Sequence, residues 1–125
     1  MNSFKTVAVI GASSNRGKFG NKALRAFANR GFTVFPINPA ETSVEGHKAY
    51  PSVLDVPGSI DLATIYVPGH VGAAVLDDVA RKGIPEVWLN PGADDREVVE
   101  KARSLGLKTV QHCSIIAIGD SPSRY

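Results

Sequence analysis

The stretch Val7-Ala8-Val9-Ile10-Gly11-Ala12-Ser13-Ser14-Asn15-Arg16-Gly17-Lys18-Phe19-Gly20 decides how the rest of the chain is read. A short apolar run ends at a glycine, and a small, polar, basic loop then leads into a segment with helical spacing. Strand, loop and helix N-terminus in that order hold phosphate groups in α/β proteins. The helix offers unpaired N–H groups and the positive end of its dipole. Arg16 and Lys18 add charge that suits a phosphate-bearing ligand.

Outward from this unit, four more runs repeat its apolar strand: Thr33–Ile37, Leu62–Val67, Glu86–Leu89 and Lys108–Gln111. None alternates strictly between polar and apolar residues, which suits parallel strands covered on both faces. Between the runs, apolar residues recur at helical spacing: Phe19, Ala23, Leu24, Phe27, Ala28; Val71, Val75, Leu76, Val79; and Val98, Val99, Ala102, Leu105. Each helical segment stops at a glycine, in Asn29-Arg30-Gly31, Arg81-Lys82-Gly83 and Leu105-Gly106. The pattern predicts an α/β fold: a Rossmann-like, doubly wound parallel five-stranded sheet, order 3-2-1-4-5, with helices on both faces.

The segment Asn38–Ile60 holds Pro39, Gly46, Pro51, Pro57 and Gly58 and reads as a loop-rich crossover. One short helix is expected there at Ser52–Val56, capped by Ser52. Ile115-Ile116-Ala117-Ile118 reads as a last core element or a subunit contact. The polar end, residues 119–125, is expected to be loosely ordered or to pack on a partner subunit.

The 125 residues suffice for one domain, taken as 1–125. A hydrophobic share of 43% and a charged share of 21% are those of a soluble globular protein. A net charge of +2 without a Lys/Arg run argues against nucleic acid as a partner. The single cysteine, Cys113, rules out an internal disulfide and suits a reducing cytoplasm. Met1–Lys5 runs straight into a strand, so no secretory leader is expected. The apolar stretches fall far short of the roughly 18 residues that span a bilayer, so no membrane partner is expected.

In sheets of this kind the ligand lies at the carboxyl ends of the strands. Those ends carry Gly11 to Arg16, Asn38-Pro39, Pro68-Gly69-His70, Asn90-Pro91-Gly92-Ala93 and His112-Cys113-Ser114. Such residues suit backbone-lined walls around an extended ligand better than a cluster of charged catalytic groups. From Gly11 the next glycine is Gly17, so G-x-G-x-x-G is absent, and Gly17-Lys18 is followed by Phe19 rather than the Ser/Thr of a P-loop. The second strand ends in Ile37-Asn38-Pro39, without the acidic residue that holds the ribose of NAD.

Val7–Gly20, Ile37-Asn38-Pro39, Ala49-Tyr50-Pro51-Ser52, Ile65-Tyr66-Val67-Pro68 and Trp88-Leu89-Asn90-Pro91-Gly92 stand in register at successive strand ends. Together they resemble the small stand-alone CoA-binding proteins. They are similar too to the N-terminal CoA-binding domain of the succinyl-CoA ligase alpha subunit and of ADP-forming acyl-CoA synthetases. The resemblance runs from Thr6 to about Ile118. It implies coenzyme A, or an acyl-CoA, as the ligand. The loop Gly11, Ala12, Ser13, Ser14, Asn15, Arg16, Gly17, Lys18 would wrap the CoA phosphates. Asn38 and Pro39 would flank the adenosine end, and Val67, Pro68, Asn90, Pro91 and Gly92 would line the pantetheine channel. Two departures stand out: Glu41 falls near a lysine of the ligases, and Pro91 aligns with an acidic residue.

The ligases work through a phosphorylated histidine in a second domain, and His47, His70 and His112 match no part of that machinery. Three scattered histidines and one cysteine lack zinc-ligand spacing, so no metal is expected. His112 and Cys113 are neighbours on a strand and should point to opposite faces. Cys113 is therefore expected to be buried and inert, against the alternative of a thiol beside the CoA sulfur. Asp77, Asp78, Asp94, Asp95, Glu97 and Glu100 fall on predicted helices and read as structural or solvated. Trp88 reads as core. No catalytic residue is assigned, and an enzyme is not expected. The reading is a non-catalytic binding, carrier or regulatory protein, with homodimer or protein partner left open. Its competitors are an NADP-dependent oxidoreductase and a protein-interaction module that has lost its ligand.

Overall fold

The computed structural model describes residues 4–125. Of the residues behind the expected lack of a leader, Met1, Asn2 and Ser3 lie outside that range. The chain runs β1 (Thr6–Ile10), α1 (Phe19–Asn29), β2 (Thr33–Ile37), β3 (Ser43–Val44), β4 (His47–Lys48) and a 3-10 turn at Val53–Asp55. It continues through β5 (Leu62–Ile65), α2 (Gly69–Lys82), β6 (Glu86–Leu89), α3 (Arg96–Ser104), β7 (Lys108–Gln111), α4 (Ser114–Ala117) and a last 3-10 turn at Pro122–Arg124. No helix among the described residues is long and apolar enough to cross a membrane.

The five long strands form one parallel sheet in the order β2-β1-β5-β6-β7. Leu62–Ile65 therefore pairs with β1 and does not lie outside β2. The outer place beside β2 is filled by a single parallel bridge from Ile37 to Tyr50. With Tyr50 counted as the third strand and Leu62–Ile65 as the fourth, the order 3-2-1-4-5 is the one observed, with β7 added at the far edge. The third strand is reduced because Pro51 removes the next ladder donor.

Strands β1, β5 and β6 are buried almost throughout, as unalternated apolar runs require. On one face Ala8, Ile10, Ala63, Ile65, Val87 and Leu89 meet Leu76 and Val79 of α2 and Val98, Val99 and Ala102 of α3. On the other, Val7, Val9, Leu62 and Trp88 meet Ala23, Leu24 and Phe27 of α1 and Ile115 of α4. Each strand thus sends alternate residues to opposite cores. Trp88 is core, as expected, and its indole N–H donates to Glu86 at 2.7 Å. The three long helices end at the expected glycines, Gly31, Gly83 and Gly106.

The Ser52 cap stands as read: its side chain accepts from Leu54 N–H, and Asp55 reaches back to Ser52 N–H. The crossover holds more order than its composition suggested. β3 and β4 form an antiparallel hairpin around Glu45 (φ 50°) and Gly46 (φ 81°). Two consecutive positive φ angles twist a two-residue turn to match its strands.

The C-terminal end is a second correction, since it packs on its own α1 rather than hanging loose. Asp120 accepts from the Tyr125 hydroxyl at 2.6 Å and from Arg124 at 2.9 Å, and Arg30 lies 3.8 Å away. Arg25 stacks over the Tyr125 ring, and Arg30 donates to the Gly119 carbonyl at 2.6 Å. The Tyr125 hydroxyl, the Ser121 N–H and the two arginines hold the Asp120 carboxyl below its ordinary value. A lowered native value means the contribution is complete above the ordinary aspartate range and is lost as pH falls through the lowered value. Asp120→Asn should therefore melt several degrees below the wild type at pH 7. The gap should narrow near pH 3, where the wild-type carboxylate is being protonated as well. An equal gap at both pH values in thermal melts would refute the charge-based account.

Candidate functional site

β1 feeds α1 on one face of the sheet, and β5 feeds α2 on the other. The two adjacent strands therefore send their chains apart at the β1–β5 boundary, where a crevice must open. A cleft of about 520 Å³ lies there. Its walls come from the β1 end (Gly11, Ser13), the start of α1 (Lys18, Phe19, Gly20), the β2 end (Asn38), the β5 end (Tyr66, Val67, Pro68) and the β6 end (Pro91, Gly92, Ala93).

Two helix N-termini meet at this cleft, and neither is capped by a side chain. α1 begins after Lys18 and α2 after Pro68, and neither has an acidic residue in its first turn. The Lys18 and Pro68 carbonyls take the third helical N–H groups, of Asn21 and Val71, but neither side chain accepts from the first two, so those donors and the positive dipole ends remain open to an anion. α1 reaches the cleft because Gly20 lies against Gly11. A Cβ on Gly20 would stand 2.4 Å from the Gly11 carbonyl oxygen. Gly11 itself has φ 92° and abuts the Tyr66 backbone, so the turn out of β1 needs glycine.

The loop after β1 is held from within and from the crossover. Asn15 N–H donates to Ser13 Oγ at 3.0 Å, and Gly17 N–H donates to Asn15 Oδ1 at 3.0 Å. Asn38 donates to the Ala12 carbonyl at 2.8 Å, tying the β2 end to the loop. Glu41 takes two bonds from one residue, Ser14 N–H at 2.7 Å and Ser14 Oγ at 2.9 Å. These bonds hold the Glu41 carboxyl below its ordinary value. A carboxylate thus already sits on donors of the kind a phosphate would use.

Of the residues singled out in the sequence, Gly11, Ser13, Lys18, Asn38, Val67, Pro68, Pro91 and Gly92 come together at the cleft. Ala12 is fully buried in the core. Ser14, Asn15, Gly17 and Pro39 are exposed and lie outside the cleft lining. Arg16 turns to Glu45, 3.4 Å away, beside a separate depression lined by Arg25, His47 and Tyr125. Lys18, rather than Arg16, is the basic side chain at the cleft. Asn90 is buried beneath it, donating to Thr64 Oγ1 at 2.8 Å and the Ile65 carbonyl at 2.9 Å, and accepting from Ser114 N–H at 2.8 Å.

Ala93, named among the strand ends, lines the cleft, and so do Phe19, Gly20 and Tyr66, to which no ligand contact was assigned. Phe19 read as part of the apolar helix face, yet it is 54% exposed. Its place as the first residue of the helix was the available signal, since a first residue projects over the strand ends. Tyr66 follows directly on β5, and its hydroxyl is buried. Burial first, and the neighbouring Cys113 second, push its phenol above its ordinary value, so it stays protonated.

Cys113 is half-buried rather than buried. His112 Nδ1 stands 2.9 Å from the Cys113 carbonyl oxygen, so the imidazole is engaged with the backbone. Among the described residues, no three His, Cys, Asp or Glu side chains gather as a metal site would require.

A doubly wound parallel sheet with two uncapped helix N-termini at its switch point has the architecture of an α/β ligand-binding domain. Residues 5–119 match the family described as CoA binding domain, and the chain belongs to that family. It is 36% identical over 116 residues to an ADP-forming acetate–CoA ligase of Archaeoglobus fulgidus, covering 85% of this chain but only 17% of that enzyme. It is similar in structure to a hypothetical protein from Pyrococcus horikoshii OT3, with a TM-score of 0.87 and 30% identity over 91% of this chain and 81% of that one. A conserved hypothetical protein from Pyrococcus furiosus has a TM-score of 0.84 and 31% identity, over 91% of this chain and 99% of that one. The fold therefore recurs both as a small chain and as a fraction of a ligase.

Proposed function

We propose that this chain binds coenzyme A, free or as an acyl thioester, in the cleft between β1 and β5, without catalysis of its own. Residues 1–125 act as one such domain, a cytoplasmic binding, carrier or regulatory protein. The observation that carries the reading is the convergence of two uncapped helix N-termini and Lys18 on one cleft, in a chain of the CoA binding domain family. In this reading the Gly11–Lys18 loop and the start of α1 take the phosphates. Asn38 and Pro39 flank the adenosine end, and Val67, Pro68, Asn90, Pro91 and Gly92 border the pantetheine arm.

Thermal melts with CoA and with NADPH test the proposal. Ligand at about 100 times its dissociation constant stabilises a protein by roughly 2.7 kcal/mol, which shifts a melt of this size by several degrees. CoA is expected to give that shift and NADPH none. A shift with NADPH alone would point to an oxidoreductase. No shift with either would leave an interaction module that has lost its ligand. Glu41→Gln supplies a second arm, because the Glu41 carboxylate sits on Ser14 where it repels phosphate. Removing its charge is expected to tighten CoA binding several-fold at low salt, with a smaller gain at high salt. Weaker binding would mean that Glu41 shapes the loop rather than competing for it.

A further inference from the structure

No acidic residue stands at the end of the second strand in the sequence, yet the fold brings one to that place. Asn38 opens a tight turn directly after β2. Its side chain takes the Ala40 N–H at 2.8 Å, and its carbonyl takes the Glu41 N–H at 3.3 Å. The same side chain donates to the Ala12 carbonyl, which pins the turn against the loop after β1. Glu41 is thereby folded back onto that loop and seated on Ser14. Both bonds from Ser14 end on Glu41 Oε2, and Oε1 accepts none among the described residues. A carboxylate at the β2 tip, beside the β1 loop, is where a doubly wound fold holds the hydroxyls of a nucleotide ribose.

The charges around Glu41 supply a second observation. No lysine, arginine or histidine pairs with Glu41 among the described residues. The arginine of the loop is matched elsewhere. Arg16 lies 3.4 Å from Glu45 Oε2, which also accepts from the side chain of the buried Asn21 at 3.1 Å. Asn21 donates as well to the Ser13 carbonyl at 2.8 Å, so Glu45 and the loop are held together. What remains for phosphate at the cleft is Lys18 and the two helix N-termini. That supply suits a diphosphate. A further phosphate monoester, with a charge of about −1.5 to −2 at pH 7, would meet the Glu41 carboxylate without a paired cation to offset it.

We propose that Glu41 selects a ligand whose adenosine ribose keeps both hydroxyls free, so that dephospho-CoA binds in preference to CoA. The proposal rests on the CoA reading above and narrows its ligand at the adenosine end. Glu41 Oε1 accepts a ribose hydroxyl while Oε2 keeps its bonds to Ser14. A hydroxyl donating to a charged acceptor makes the stronger class of hydrogen bond. A phosphate on the same ribose oxygen removes that donor and sets like charges together. One side chain thus supplies both the attraction and the rejection that specificity needs. The two bonds from Ser14 hold the Glu41 carboxyl below its ordinary value, so it stays charged throughout the neutral range.

The test is a calorimetric series of CoA, dephospho-CoA and NAD against wild type, Glu41→Gln and Glu41→Lys, at low and high salt. At low salt the wild type is expected to bind dephospho-CoA about tenfold more tightly than CoA, the scale of one charge-assisted hydrogen bond. High salt should narrow that ratio, because it screens the repulsion and leaves the hydrogen bond. Glu41→Gln should gain several-fold for CoA and lose several-fold for dephospho-CoA, bringing the two together. Glu41→Lys should reverse their order. NAD shares the adenosine diphosphate and its free hydroxyls but lacks the pantetheine arm, so it should bind more weakly than dephospho-CoA. Equal wild-type affinity for CoA and dephospho-CoA would overturn the selection while leaving CoA binding intact. An equal loss of both in Glu41→Gln would do the same, since a side chain that only shapes the loop moves every ligand alike. NAD bound as tightly as dephospho-CoA, or no binding by any of the three, would overturn both readings together.

Discussion

Gly20→Ala is expected to lower the melting temperature by about 10 °C and to weaken CoA binding in parallel. By propensity alone the change should help, since alanine favours a helix interior over glycine by about 1 kcal/mol. The packing reverses that sign. The new methyl would sit 2.4 Å from the Gly11 carbonyl oxygen and 3.3 Å from the Ala12 Cα, and both are backbone atoms that no rotamer change can move. Relief requires α1 to lift from the β1 turn by about 1 Å, which loosens Ala23, Leu24 and Phe27 in the core. Overpacking of this kind costs about 1–3 kcal/mol, and the fixed backbone obstacle places it at the upper end. The same movement carries the α1 N-terminus out of the cleft. Gly17→Ala is the matching control. It lies in the same loop, is exposed, and would meet only Asn15 Oδ1 at 3.3 Å. Its melt should stay within about 2 °C of the wild type. Equal melts for the two alanine variants would show that the close approach does not govern stability.

The sheet and its helices were legible because they follow from local pattern. Unalternated apolar runs such as Val7–Ile10 can only be covered on both faces, and glycine stops mark where each helix turns back. The position of the cleft followed from topology, so Gly11, Asn38, Pro68 and Gly92 were found by standing at strand ends. What the sequence concealed was direction and distance. Arg16 and Lys18 look equivalent along the chain, yet one turns to Glu45 and the other to the cleft. Nothing within a few residues of Arg16 signals Glu45, which pairs with it through the turn of a two-residue hairpin. The tail was misread for the same reason: its anchors, Arg25 and Arg30, lie about a hundred residues upstream. Tyr66 was quoted as part of a strand-end motif, but the burial of its hydroxyl depends on packing against Ser114, almost fifty residues further along, which no local pattern signals.

The other large effect is expected at Asn90, a cleft-floor residue whose side chain is spent on the protein. Its amide joins three elements: the N–H group bonds Thr64 and the Ile65 carbonyl at the β5 end, and its oxygen takes the Ser114 N–H at the start of α4. The orientation of the amide is fixed by its neighbours, since a carbonyl must face the donor and an N–H the acceptor. Asn90→Ala would strand the buried Ser114 N–H and Ile65 carbonyl and open a small void. Each stranded group costs about 1–3 kcal/mol, so the sum is about 3–5 kcal/mol. A melt lowered by about 10–20 °C would follow. Asn90→Asp separates this account from simple loss of volume. It keeps the acceptor for Ser114 but sets an oxygen against the Ile65 carbonyl, so only the protonated carboxyl can donate there. Its native pKa is then raised by burial and by that carbonyl. A raised native value gives stability that is complete below the ordinary aspartate range and is lost as pH rises through the native value. Asn90→Asp should therefore approach the wild type in acid and fall away from it toward pH 7. Asn90→Ala should trail the wild type by a constant margin over the same range. A pH-independent deficit in Asn90→Asp would mean that the amide fills space without joining β5, β6 and α4.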